Sequence, residues 1–157
     1  MFLDAQNEFS DGQAVTVTAV GTNVYDLSLD RSIGNGEPMA VLFTVDVAAD
    51  QTSSDEDYTF QVEYASNAAQ TTGRQLMGER IFESGTPTAP AQDADLLVVG
   101  FRIIIPIPPT TLDESEGFIG IRYVTAGSSP TITCSAYLQP MSMITSTNDY
   151  ASGYDIT

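Results

Sequence analysis

Apolar and polar residues alternate with a period of two through most of this 157-residue chain, and a period of 3.6 hardly appears. That pattern predicts β structure nearly throughout. The clearest half-buried strand sets Tyr58, Phe60, Val62 and Tyr64 against Thr59, Gln61 and Glu63. Met39, Val41, Phe43, Val45 and Val47 share one face of another, expected to be central. Val15 and Val17 are set against Thr16 and Thr18 within 14–20, and Tyr25, Leu27 and Leu29 share a face within 24–29. A ragged strand is expected over 76–82, a strand apolar on both faces over 96–105, and two more over 118–125 and 131–138.

Turn chemistry separates these segments. Gly34-Asn35-Gly36 with Pro38 offers positive-φ positions and a rigid exit before the Met39 strand. Residues 48–57 are too acidic to pack and read as a loop; 84–90, 113–117 and 126–130 are loops by composition, and Pro106, Pro108 and Pro109 end the 96–105 strand. Residues 65–75 fit either one helical turn or a short edge strand. About eight short strands with turns between them is the count of an all-β jelly-roll sandwich. Its expected core holds Phe43, Val45, Phe60, Val62, Val99, Phe101, Ile121 and Ile132. The organisation expected is an N-terminal arm over 1–13, a jelly-roll domain over 14–139 and a C-terminal extension over 140–157.

A chain of this length forms one domain that buries roughly 68–70% of its unfolded surface, so its core requires no disulfide or metal. Five Arg and no Lys stand against 21 Asp plus Glu, a net charge of −16. Such a surface repels phosphate backbones and anionic lipid, which argues against nucleic acid or membrane as partner. It also suits a salty habitat, and the two readings are compatible. Residues 1–4 lack the charged and apolar regions of a secretory signal, and the apolar run 96–105 is far shorter than the roughly 20 residues of a spanning helix. A soluble protein is expected.

Catalytic chemistry has little to work with. Histidine is absent, which excludes Ser–His and Cys–His catalysis and removes the commonest metal ligand. Cys134 alternates with Ile132 and Ala136 and reads as a small buried hydrophobe. Gly34-Asn35-Gly36-Glu37-Pro38 opens like a dinucleotide loop, but a strand follows it where a phosphate cradle needs a helix N-terminus. Carboxylate pairs such as Glu79 and Glu83 are inevitable among so many acids, and the aromatic platform of a sugar cleft lacks Trp. Residues 50–57 have the carboxylates for calcium but neither EF-hand spacing nor its glycine, so a solvated loop is the better reading. No enzyme, no cofactor and no metal are expected.

The ends of the chain read differently. Phe2, Leu3 and Phe9 precede the first predicted strand, and Met141, Met143, Ile144, Tyr150 and Tyr154 follow the last one without strand alternation. Met and aromatic residues are favoured at protein interfaces, so these are the candidate interface residues, with core packing the alternative for Phe9 and a frayed end the alternative for the tail.

One block of sequence adds a specific expectation. The stretch from Phe9-Ser10-Asp11 through Gln13-Ala14-Val15-Thr16 to Thr22-Asn23 and Asp26-Leu27, leading into Arg31-Ser32-Ile33-Gly34-Asn35-Gly36-Glu37-Pro38, resembles the capsid cement proteins of tailed phages, the Bordetella-phage cement protein family. Ile104-Ile105-Pro106-Ile107-Pro108 and Gly120-Ile121-Arg122-Tyr123 resemble later segments of that family. The acidic 48–57 loop is longer than the family pattern, and the tail beyond Pro140 is extra. The resemblance implies a jelly roll that does no chemistry. It implies a homo-oligomer, dimer or trimer, made in the host cytoplasm and placed on the outer capsid surface of the virion, where it ties neighbouring subunits of the major capsid protein together. The alternative from another class is a lectin-like or receptor-binding jelly-roll module of a phage tail or fibre.

Overall fold

A computed structural model of the chain describes residues 7–27, 37–107 and 117–144. In these the strands are β1 (Glu8–Val15), β2 (Ala19–Val20), β3 (Tyr25–Asp26), β4 (Met39–Val47), β5 (Asp57–Ala65), β6 (Gln75–Glu83), β7 (Gln92–Asp93), β8 (Arg102–Pro106), β9 (Phe118–Ala126) and β10 (Ile132–Pro140). One sheet has the order β1-β10-β4-β8; the other runs β2-β9-β5-β6-β7, with β3 also on β9. Every pairing is antiparallel except the short β6–β7 contact. Merging β2 with β3 along β9 and setting aside the two-residue β7 leaves four strands in each sheet, connected as a double Greek-key jelly roll.

Alternation places one face of each long strand in the space between the sheets. Val41, Phe43 and Val45 of β4 meet Phe60 and Val62 of β5 and Ile121 and Tyr123 of β9 there, all buried. The rings interlock edge to face: Phe60 packs on Phe43 at 5.4 Å, on Phe82 at 5.8 Å and on Tyr123 at 5.8 Å between centroids. Such pairs add about 0.5–1.5 kcal/mol each beyond the area they bury. Tyr123 carries its hydroxyl into this core and satisfies it on Ser10 Oγ at 2.8 Å. Cys134 is fully buried as expected, and burial, with the Asp46 charge behind it, pushes its thiol far above the usual range.

Three expectations change. β1 begins at Glu8, and Phe9 is a core residue, so the sandwich takes in part of the segment expected as an arm. Register shifts between Glu8 and Ser10 and between Ser10 and Gln13 break the alternation that would have revealed this strand. The strand expected over 14–20 is correspondingly split, with β1 ending at Val15 and β2 starting at Ala19. Finally, the apolar run 96–105 is not one strand: it enters through a 3-10 turn over Ala94–Leu96, makes a turn closed by Phe101 N–H to the Val98 carbonyl at 2.9 Å, and only then becomes β8. Gly100 takes φ +85° at the third position of that turn, where a side chain would be strained. Val99 therefore lies 66% exposed, outside the core, whereas Phe101 still packs against it. Residues 65–75 form turns before β6.

The register fixes which features share an end. Met39, Pro140, Glu8 and Pro106 mark one end of the first sheet; Val47, Thr133, Val15 and Arg102 mark the other. The loops 48–56, 84–101 and 127–131 gather at the second end. The described residues that flank 1–6, 28–36, 108–116 and 145–157 lie at the first.

Candidate interaction surfaces

At the first end, the outer face of the β1-β10-β4-β8 sheet carries an apolar strip. Leu42 stands between Tyr137 on β10 and Ile104 on β8, and Ala40 follows it on the same face. The chain leaving β10 folds back over this strip. Met141 N–H bonds the Pro38 carbonyl at 2.9 Å, residues 141–144 make a helical turn, and Ser142 Oγ bonds the Glu37 carboxylate. Ile144 is thereby buried against Ala40 and Leu42, with Ile104 and Met141 packed around them. This cluster lies outside the main core.

The residues expected at an interface are thus placed unevenly. Phe9 is interior, Ile144 pins the chain to its own sheet, Met141 is half-buried and Met143 is exposed. Phe2, Leu3, Tyr150 and Tyr154 lie outside the described residues.

At the second end the loops are bound to one another. Asp50 N–H bonds the Thr131 carbonyl at 2.8 Å, and the Tyr58 hydroxyl, donating to the Asp50 carbonyl at 2.5 Å and accepting from Thr131 N–H at 3.3 Å, ties both loops to β5. Burial, more than any charge nearby, pushes the Tyr58 phenol up to about 12, so it keeps its proton at neutral pH. Gly127 fits this junction with φ +93°, because a Cβ there would fall 2.2 Å from the Asp55 carbonyl oxygen. Ala49 N–H bonds the Leu97 carbonyl at 3.0 Å, and Gly100 N–H bonds the Val45 carbonyl at 2.8 Å. These two bonds bracket Val47 on one side and Val98 and Val99 on the other, bringing the three valines to one place. They are 57%, 54% and 66% exposed, and Leu96 beside them is 44% exposed. Sequence reading placed Val47 and Val99 on inward faces; the Gly100 turn was the signal that the run would come to the surface.

The outer face of the second sheet is polar. Glu63 accepts Arg122 Nε at 3.0 Å and Arg74 Nε at 3.1 Å, while Arg122 NH2 reaches the Gln70 carbonyl at 2.8 Å. Burial works against the Glu63 charge, but the hydrogen bonds and charges of Arg74 and Arg122 outweigh it and hold its pKa below the ordinary value. The loop 66–74 is clamped onto the sheet by this carboxylate. Among the described residues no group of three or more Cys, Asp or Glu side chains is disposed to hold a metal ion.

A family model for Bbp16 matches residues 9–137. The chain belongs to the Bbp16 family. The Bbp16 match opens in β1 and closes in β10, so it takes in the sandwich from its first strand to its last. The exposed Val47, Leu96, Val98 and Val99 fall inside the Bbp16 span; Met141, Met143 and Ile144 fall beyond it. No curated protein matches the chain.

Proposed function

We propose that this Bbp16 protein is a structural virion protein, a capsid cement that sits on the outer shell and bridges neighbouring major capsid subunits without doing chemistry. The observation that carries the reading is the Bbp16 match across the whole sandwich. Its name, a Bordetella phage designation, agrees with the motif resemblance of Phe9–Leu27 and Arg31–Pro38 to phage cement proteins. The physics is in keeping with that role. A DNA-filled shell is under outward pressure, and rigid blocks repeated around a lattice raise the cost of separating its subunits through avidity, without strong single contacts. The charge of −16 is tolerated on the outside, away from the packaged DNA.

The test is a density map of the particle that carries the protein, together with the heat and salt resistance of capsids assembled with and without it. Density on the outer shell and weaker capsids in its absence are expected. Density confined to a tail or fibre, with capsids of equal resistance, would replace this reading with the receptor-binding one.

A further inference from the structure

Five of the seven large apolar side chains exposed among the described residues, Val17, Val47, Leu96, Val98 and Val99, lie at the second end of the sandwich. Three of them, Val47, Val98 and Val99, lie within the segments bracketed by the Ala49–Leu97 and Gly100–Val45 backbone bonds, and Leu96 immediately precedes that bracket in the chain. Single exposed valines are ordinary; three held together by backbone bonds, with exposed Leu96 adjoining them in the chain, form the kind of patch that marks contact with another molecule. The patch is also already ordered. Leu97 is buried beneath it, and Gln51 Nε2 fastens the Ala94 carbonyl at 2.8 Å, so contact here entails little loss of loop entropy.

Charge selects the occupant. Asp46, Asp50, Asp57, Glu83, Asp93 and Asp95 surround the patch in sequence and at the same end, and residues 46–57, 83–100 and 126–131 contain no Arg or Lys. Arg102, at the start of β8, is the nearest cation along the chain on that side. A second copy of this chain would bring the same acidic rim against it, and nucleic acid or anionic lipid would be repelled. We propose that this end of the jelly roll is the surface that docks onto a protein partner presenting an apolar centre ringed by Arg or Lys. The proposal rests on the cement reading in one respect: the partner is then the outer surface of the capsid, and the end marked by Glu8, Met39, Pro106 and Pro140 points away from it.

The experiment uses full-length protein and capsids of its own phage assembled without it. Val47→Asp and Val99→Asp each change an exposed residue, so both should keep the melting temperature of the parent; Val99→Ser serves if either fails to fold. Leu76→Ser, at another exposed apolar residue and at the opposite end, is the control. We expect the two Asp variants to weaken capsid binding by about tenfold or more, as loss of a central apolar contact does. Leu76→Ser should bind as the parent does, and added salt should weaken parent binding. Undiminished binding by both patch variants would overturn the docking assignment while leaving the cement reading intact. A parent that binds no capsid at all would overturn the cement reading and, with it, the partner named here. If instead Val99→Asp lowers the mass of the free protein in solution, the patch joins copies of this chain and the assignment to a basic partner is wrong.

Discussion

Arg122 reaches diagonally across β9 and β5 to Glu63: it stands opposite Gln61 in the register, yet its Nε donates to the Glu63 carboxylate at 3.0 Å. The Glu63 side chain is only 4% exposed, whereas Arg122 is 16% and Arg74 43% exposed. The carboxylate is therefore the member of the trio that cannot be left without its charge partners or replaced by water.

Glu63→Gln should cost about 2–3 kcal/mol, somewhat below the usual loss for breaking a buried pair because the stranded guanidinium groups keep some water. The pH dependence has a definite sign. A carboxyl held below its ordinary 4.5 in the folded state contributes stability that is complete above that value and is lost as pH falls through the folded pKa. Thermal melts from pH 7 to pH 3 should show the parent and Glu63→Gln converging in acid; a constant gap would remove the ion pair from the account.

Asp57 should behave in the opposite sense. It stands directly across from Glu83 on the β5–β6 ladder, and burial first, then Glu83 and Asp55, raise its pKa above 3.8. A raised carboxyl favours the folded state in acid and loses that advantage as pH climbs through the folded pKa. Asp57→Asn should thus stabilise the protein at neutral pH by about 0.5 kcal/mol, the scale of a cross-strand like-charge pair. The gain should fade toward pH 3. Equal melting temperatures at pH 7 would show that solvent already screens the repulsion.

Both acids illustrate what a sequence of this kind discloses. Strand identity was legible wherever one face is polar: Tyr58 to Tyr64 alternates because the outer side of β5 carries Thr59, Gln61 and Glu63. It failed where alternation is interrupted or absent. The bulges of β1 hid Phe9 among polar neighbours, and the largely apolar run from Leu96 to Ile105, interrupted only by Gly100 and Arg102, reads as a single strand and so concealed the Gly100 turn that brings Val98 and Val99 to the surface. The Glu63 clamp lay beyond reach for another reason, since its partners Arg74 and Arg122 are 11 and 59 residues away and only the sheet register joins them. Of the predicted interface residues, Ile144 was recognised as meaningful at the wrong level: its apolar character serves the chain's own sheet.

Phe60→Ala tests the assignment of the inner face. Phe60 is buried at the centre of three edge-to-face contacts, with Phe43, Phe82 and Tyr123. Truncation removes those contacts and leaves a cavity that rigid β walls cannot close, for a loss of about 3–5 kcal/mol in chemical denaturation. A loss below about 1 kcal/mol would be incompatible with burial at that position.

Gln70 provides the sharpest case, because the expected change is a gain. Its residue is 1% exposed, its backbone sits at φ +54°, and neither its side-chain Oε1 nor its Nε2 has a hydrogen-bond partner. The amide is pressed onto Gly120, where a Cβ would come within 2.7 Å of the Gln70 Cδ, so the glycine makes the room that the side chain fills. The backbone of Gln70 is well used: its N–H bonds the Asn67 carbonyl at 3.0 Å and its carbonyl accepts Arg122 NH2 at 2.8 Å. Only the amide head is unsatisfied, and burying such a group without a partner costs about 1–3 kcal/mol. Gln70→Met keeps the length and unbranched shape, leaves both backbone bonds in place and removes the unpaired polar atoms. It should raise stability by about 1 kcal/mol, read as a higher denaturation midpoint with an unchanged slope. A fall of similar size would mean that the amide is paired in solution, and the 66–74 loop would then have to sit differently on β9.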